Sequence, residues 1–210
     1  MTKDQQTEPH QPQLYLVTPV GAQAGSFGPL LTGILARLPV ACIRIRGEGD
    51  EDSLGRMADL VREIAHARDI AVVIDDHIVL AQRHGLDGVH LTDGARKVRY
   101  ARKELGADAI IGAGCGLSRH EGLNAAEAGA DYVAFAPAGA TALGGGESVP
   151  HETFAWWSEM IEVPVVAEGA LDGAAIEALS GAVDFFAIGP EIWAQPDPLD
   201  ALGRLWNQTG

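Results

Sequence analysis

The chain has 210 residues, of which 47% are hydrophobic, and its formal net charge is −14 at pH 7. This length and this apolar content are enough for one large domain with a buried core. The negative charge argues against a nucleic-acid partner or an acidic membrane surface, because such partners need a basic face. No apolar run approaches about 18 residues, the length of a membrane-spanning helix.

The first residues, MTKDQQTEPHQPQ, are polar and lack the apolar segment of a secretory signal peptide. We therefore expect a loose tail over residues 1–12, a single domain over residues 13–210 and a cytoplasmic location. The two cysteines, Cys42 and Cys115, each lie in an apolar run, which is typical of reduced thiols in the core of a cytosolic protein.

Short strand-like runs alternate with helical patterns along the whole chain. In chain order the eight predicted strands are QLYLVTP, VACIRIR, IAVVIDD, DGVHL, AIIGAG, DYVAFAP, VPVVAEG and DFFAIGP. Between them, apolar residues recur at three- and four-residue steps, as in SLGRMADLVREIAHARD, RKVRYARKELG and AAIEALSG. Such alternation implies right-handed crossovers and a parallel sheet that is buried on both faces.

Eight strand–helix units predict an α/β fold, a single (β/α)8 TIM barrel with parallel strands. A doubly wound open sheet is the alternative, although no GxGxxG motif follows the first strand. In a barrel the chemistry is located where the strands end, because the βα loops gather there. The candidate residues at these ends are Arg44, Arg46, Asp75, Asp76, His77, His90, Asp93, Cys115, Thr141, Glu168, Gly169 and Gly189.

Arg44 and Arg46 are two residues apart on the second strand, so both side chains point to one side. Two arginines inside a packed apolar layer would be costly unless anions accompany them. A guanidinium matches phosphate oxygens, so one interpretation is a phosphate or pyrophosphate clamp. The other interpretation is a structural pair that is bridged to acidic residues at the end of the barrel.

Asp75 and Asp76 are adjacent on an extended strand and must face opposite ways. We expect one carboxylate to reach into the site and the other to cap the following helix. The inward carboxylate could hold Mg²⁺ against a phosphate, or both could act as caps with no metal. His77 and His90 are candidates for acid–base groups, and structural histidines are the alternative.

Three loops suit the binding of a small phosphorylated substrate. The glycine-rich run FAPAGATALGGGESV suits a lid over a phosphate, or a plain surface excursion. The segments AEGAL and FAIGPEI follow the last two strands, where barrels commonly bind phosphate through backbone N–H groups. The few lysines lie outside the predicted strands, which argues against a Schiff-base aldolase.

The segments IDDHIVLAQRHGLDGVHL and EAGADYVAFAPAGAT, and the spacing from VPVVAEGAL to VDFFAIGP, resemble the thiamine phosphate synthase family, which includes a thiazole tautomerase branch. The similarity covers roughly residues 13–206. It implies a transferase of thiamine biosynthesis that joins a pyrimidine methyl diphosphate to a thiazole phosphate, with Mg²⁺, and releases pyrophosphate. A barrel of this size also suggests a homodimer.

The resemblance also implies residue roles. It places Arg46 on pyrophosphate and Asp76 on Mg²⁺, with Asp93, about two positions from the family's second ligand, as the other carboxylate. Arg44 stands where the family has a glutamine, and we expect it to join Arg46 on pyrophosphate. Cys115 aligns with a serine of the family. The residues that it places around the substrates are Thr141, Gly169 and Gly189, with Asp75, His77, His90 and Glu168 as further binding residues.

The chain departs from the family pattern where an anion would bind. Glu48 stands where the family has a lysine on the second strand, and Glu168 replaces the first of two glycines after the seventh strand. Gly189 and Pro190 replace an Ile-Ser pair, which removes a backbone N–H. Three hypotheses therefore stay open: a synthase, a barrel that binds a phosphorylated ligand without turnover, and an isomerase-like enzyme that uses His77, His90 or Cys115.

Overall fold

The computed structural model describes residues 11–140 and 146–209. Its strands form one closed parallel barrel in the order β1 to β8, each paired with the next and β8 with β1. The strands are Gln13–Val17 (β1), Val40–Ile45 (β2), Ala71–Asp75 (β3), Gly88–Leu91 (β4), Ile110–Gly114 (β5), Tyr132–Phe135 (β6), Val165–Glu168 (β7) and Phe185–Ile188 (β8). The predicted (β/α)8 barrel and its eight strands are confirmed.

Helices follow the strands and cover the outside of the barrel. They are Ala24–Leu35 (α1), Glu51–His66 (α2), Ile78–His84 (α3), Val98–Leu105 (α4), Arg119–Ala128 (α5), His151–Met160 (α6), Gly173–Leu179 (α7), Pro190–Trp193 (α8) and Pro198–Trp206 (α9). A 3-10 turn, Gly94–Lys97, precedes α4. Among the described residues, no helix has the length and apolar character needed to cross a membrane.

Successive side chains along each strand point alternately outward and inward, and they form two separate apolar layers. Residues such as Leu16, Ile43 and Val72 point outward and are buried beneath the helices. A second cluster fills the inside of the barrel, and its buried members are Tyr15, Val17, Val73, Tyr132, Ala134, Val166 and Ala187. The inside of the barrel is therefore packed with apolar and aromatic side chains, and the charged side chains of Arg44, Asp75 and Glu168 lie at the end where the strands finish.

Local sequence signals begin and end several helices. Asp50 accepts a hydrogen bond from the Ser53 N–H at the start of α2, and Ser118 does the same for the Glu121 N–H at the start of α5. Gly85 and Gly129 end α3 and α5 in the left-handed conformation, where glycine avoids a steric penalty. These caps hold each helix in register with the strand before it, and so they help to position the βα loops.

Candidate functional site

Arg44 lies at the carboxyl end of β2 and is held by acidic side chains from two other strands. Its Nη1 and Nη2 atoms donate to the two carboxylate oxygens of Glu168 at 2.8 and 2.7 Å. Its Nε lies 3.0 Å from Asp75 Oδ1. Burial alone would lower the pKa of Arg44, but electrostatic interactions with Glu168, Tyr15 and Asp75, and the hydrogen bonds to Glu168, outweigh it, so the pKa lies well above its usual value. The side chain is 4% exposed and stays charged.

Arg46 points to the same side of β2 but is more open to solvent. Its Nε lies 3.2 Å from Asp75 Oδ2, and its Nη2 donates to Glu48 at 2.7 Å. Burial raises the pKa of Asp75, although Arg44 and Arg46 act in the opposite direction. Both arginines thus face one region, as predicted, and the bridging acidic residues of the alternative interpretation are present.

The cavity bounded by these ion pairs lies at the carboxyl end of the barrel and has a volume of about 290 Å³. Its lining residues are Arg44, Arg46, Asp75, His90, Thr92, Gly114, Gly116, Ala134, Ala136 and Glu168. A larger depression of about 530 Å³, between the β1–α1 loop and the start of α2, also includes Arg46. Arg46 therefore stands between two spaces that a ligand could enter together.

His90 is buried at the base of the central cavity and is joined to two tyrosines. Its Nδ1 lies 2.9 Å from the Tyr132 hydroxyl, which in turn lies 2.7 Å from the Tyr15 hydroxyl. Burial, and then the charges of Arg44 and Arg46, lower the pKa of His90 well below its usual value. His90 is consequently neutral at pH 7 and can offer one nitrogen to a ligand as a donor or an acceptor. The sequence analysis did not identify Tyr15 or Tyr132 as site residues. Each tyrosine alternates with outward-facing apolar neighbours along its strand, and this pattern indicates that its side chain points into the barrel.

Asp76 and Asp93 lie in neighbouring loops, after β3 and β4. The Asp76 carboxylate accepts hydrogen bonds from the backbone N–H of Thr92 at 3.1 Å and from the Thr92 hydroxyl. The expected helix cap is wrong: His77 occupies the first position before α3, and no side chain caps that helix. Asp76 is drawn towards Thr92 instead because its backbone is in the left-handed region, with φ at 53°.

Asp76 and Asp93 are the two carboxylates on which the resemblance places a magnesium ion. One oxygen of Asp93 is buried without a hydrogen-bond partner among the described residues, and the other lies 3.5 Å from Lys97 Nζ. Within residues 11–140 and 146–209, no three His, Cys, Asp or Glu side chains form a metal-binding group. Mg²⁺ nevertheless needs only one or two carboxylates when water and a substrate phosphate supply its other ligands.

The predicted site residues within the described ranges that do not line the central cavity are Asp76, His77, Asp93, Cys115, Gly169 and Gly189. The His77 ring lies 2.8 Å, through Nε2, from the Gly47 carbonyl oxygen, and with Asp76 it lines a separate depression beside α3. The Cys115 thiol is buried and donates to the Ala113 carbonyl at 3.4 Å. Burial, with Glu121 as a second cause, raises the pKa of Cys115 to about 12. Its thiol is therefore protonated at neutral pH and is a weak nucleophile.

Glu191, in the short helix α8 that follows β8, is a carboxylate that the sequence analysis did not single out. Glu191 accepts from the backbone N–H of Gly189 at 2.9 Å and from that of Leu171 at 3.3 Å. The N–H of Gly189, expected to face a phosphate, is thus bonded to an acidic side chain of the chain itself. Gly169 follows Glu168 with φ at 84°, a conformation that favours glycine. Thr141 lies outside the described residues.

Fold and site together define a (β/α)8 barrel whose pocket of paired arginines and carboxylates lies at the carboxyl ends of the strands. The structure of thiamine phosphate pyrophosphorylase from Pyrococcus furiosus has a TM-score of 0.77 with this chain at 21% identity, and the match covers 96% of this chain and 98% of that one. Orotidine 5'-phosphate decarboxylase from Pyrococcus horikoshii shares the fold with a TM-score of 0.64 at 16% identity, covering 92% and 98% of the two chains.

Sequence comparison narrows this class further. The family model described as thiamine monophosphate synthase matches residues 14–191. A thiamine-phosphate synthase of Rhodospirillum centenum is 37% identical over 188 residues, which cover 88% of this chain and 90% of that protein. One of Erythrobacter litoralis is 37% identical over 188 residues and covers 87% and 88%. The chain belongs to the thiamine monophosphate synthase family, and the resemblance drawn from its motifs is confirmed.

Proposed function

We propose that the protein is a thiamine phosphate synthase, a transferase that couples a pyrimidine methyl diphosphate with thiazole phosphate and releases pyrophosphate. The observation that carries this proposal is the family match over residues 14–191. The position of the cavity agrees with it, because chemistry in TIM barrels takes place at the carboxyl ends of the strands. Small phosphorylated substrates, a cytoplasmic location and a homodimer remain part of the proposal.

The chain's own residues would act mainly on the diphosphate. Breaking the bond to the diphosphate leaves a pyrimidine methyl cation, which the thiazole nitrogen then captures. Arg46, partly exposed beside both depressions, would approach the leaving pyrophosphate and stabilise its growing negative charge. His90 would present one neutral nitrogen to the substrates from the base of the cavity. Because the hydrogen bond to Tyr132 fixes the buried His90 ring before the reaction, this ring needs little reorganisation in the transition state.

Asp76 and Asp93, in the neighbouring loops after β3 and β4, would hold Mg²⁺ at the carboxyl end of the barrel, although Asp76 lines the depression beside α3 and not the central cavity. The ion would supply positive charge to the diphosphate oxygens. The buried, unpartnered oxygen of Asp93 is what favours this assignment among the described residues. Thr92 would keep Asp76 oriented through its two hydrogen bonds.

A second candidate function is the binding of a phosphorylated ligand without turnover. The observation that favours it is the pairing of both cavity arginines with carboxylates, together with the engagement of the Gly189 N–H by Glu191. A transferase needs cations that are free to stabilise the leaving anion. In this second case the ligand would bind, but no bond to pyrophosphate would break.

One assay separates the two functions. Purified protein is mixed with the pyrimidine diphosphate, the thiazole phosphate and Mg²⁺, and pyrophosphate and thiamine phosphate are measured. We expect both products, and we expect Asp93→Asn to lower the rate by about 10²-fold, the effect of losing one charge-stabilising contact. The matched control is Asp108→Asn, an exposed carboxylate before β5 at the opposite end of the barrel. A thermal shift with either substrate but no product would support the binding function instead.

A further inference from the structure

The Arg44–Glu168 pair has the geometry of arginine bound to a ligand phosphate. Two parallel N–H···O bonds of 2.8 and 2.7 Å join the guanidinium to both oxygens of one carboxylate. Phosphate and pyrophosphate oxygens bind arginine with the same two-pronged geometry. Arg44 is 4% exposed, whereas Glu168 is 20% exposed and lines the cavity. The carboxylate therefore lies on the side from which a phosphorylated ligand would arrive.

Arg46, two residues after Arg44, is more exposed to solvent than Arg44. Its side chain is 27% exposed, and one of its two partners, Glu48, is 59% exposed. Exposed ion pairs contribute little to stability, so Arg46 can exchange Glu48 for an incoming anion at small cost. Arg44 cannot do so, because an anion must first displace a desolvated carboxylate that makes two hydrogen bonds.

The net charge of the cavity also indicates that Glu168 opposes the binding of an anion at Arg44. The cavity lining contains two arginines and two carboxylates, whose formal charges cancel. An incoming phosphate group therefore meets no net positive charge. Removing the charge of Glu168 would leave one uncompensated cation at a buried position, where electrostatic interactions are stronger than in water.

We propose that Glu168 is a specificity-determining residue whose carboxylate occupies the two-pronged site of Arg44 in place of a ligand phosphate. Glu168 weakens the binding of bare inorganic anions, because such anions offer nothing beyond the contact that they would replace. A phosphorylated substrate makes further contacts with the cavity and can displace the carboxylate. This inference rests on the proposed function only in taking the ligand to be phosphorylated.

The test is calorimetric titration of the full chain with inorganic pyrophosphate in the absence of magnesium. We expect Glu168→Gln and Glu168→Ala to lower the dissociation constant at least about tenfold, because a charged contact of Arg44 becomes available. The control, Glu152→Gln, removes an 81% exposed carboxylate at the start of α6 and should change the constant less than about twofold. Combining Glu168→Gln with Arg44→Lys should abolish the gain, because lysine lacks the two-pronged geometry.

Glu168→Gln retains the size of the side chain, so it decides the question if Glu168→Ala fails to fold. An unchanged dissociation constant in folded Glu168→Gln, or no measurable binding to it, would overturn the inference even if the native protein forms thiamine phosphate. Tighter pyrophosphate binding by the variant, with no product from the native protein, would uphold the inference and refute the synthase proposal.

Discussion

The two ends of the barrel use acidic side chains in different ways. At the amino ends of the strands, Asp87, Asp131 and Asp184 each accept a hydrogen bond of 2.7 Å from a backbone N–H of the neighbouring strand. At the carboxyl ends, Asp75 and Glu168 pair with arginines and line the cavity. The first set completes the sheet, and the second set places charge next to a ligand space.

The difference indicates that acidic side chains at the amino ends complete backbone hydrogen bonding, whereas those at the carboxyl ends set the charge of the ligand cavity. The aspartates at the amino end replace missing ladder partners, so their contribution is local and needs no ligand. The carboxylates at the other end are held by two arginines across three strands, and they create an electrostatic environment that any ligand must change. Four substitutions test this difference.

The largest effect is expected from Arg44→Met, which leaves Glu168 and Asp75 buried with fewer partners. We expect the free energy of unfolding to fall by about 3–5 kcal/mol, the usual result of removing one member of a buried ion pair. Chemical denaturation measures it. Adding Glu168→Leu should recover at least half of the loss, since an apolar pair removes the stranded carboxylate. A single variant within about 1 kcal/mol of the native protein would contradict the importance of this pair.

At the opposite end, Asp131→Ala should lower the free energy of unfolding by about 1–3 kcal/mol, because the N–H of Ile111 loses its acceptor. Arg102, which also contacts Asp131 at 2.6 Å, loses a partner as well. The rate of product formation per folded molecule should stay within about twofold of the native rate, since the residue is remote from the cavity. A substantial loss of activity in folded protein would show that the two ends are coupled.

The buried His90 ring makes the stability of the folded protein depend on pH. Its pKa in the folded protein is lowered, so the unfolded chain binds the proton more readily and stability falls as pH drops below about 6.5. Between pH 7.5 and 5.5 this costs about 1.4 kcal/mol. His90→Gln should lack this part of the pH dependence in denaturation curves recorded at both values. Equal pH dependence in the two proteins would mean that His90 is not buried as a neutral ring.

The smallest effect is expected at Cys115. Because burial raises its pKa to about 12, the thiol is protonated at neutral pH and lies outside the residues that line the cavity. Cys115→Ala should leave kcat within about twofold of the native value, as measured by pyrophosphate release. A loss of 10²-fold or more would restore Cys115 to the catalytic role that the isomerase-like hypothesis gives it.

The sequence by itself determined the barrel, the eight strands and the family. Periodicity and short turn signals are local properties, and a parallel sheet of alternating strands and helices leaves few ways to close. Of the candidate residues at the carboxyl ends, Arg44, Arg46, Asp75, His90 and Glu168 line one cavity, whereas Asp76 and His77 line another depression.

Only the tertiary structure decided which partner each polar side chain chose. Arg44 meets Glu168 across 124 residues of chain, and Asp76 turns to Thr92 rather than to the helix that follows it. Glu191 reaches the N–H of Gly189, and Tyr132 joins His90 to Tyr15. Hydrogen bonds and ion pairs depend on angstrom-scale distances between groups from separate strands, and such distances leave no periodic trace in the sequence.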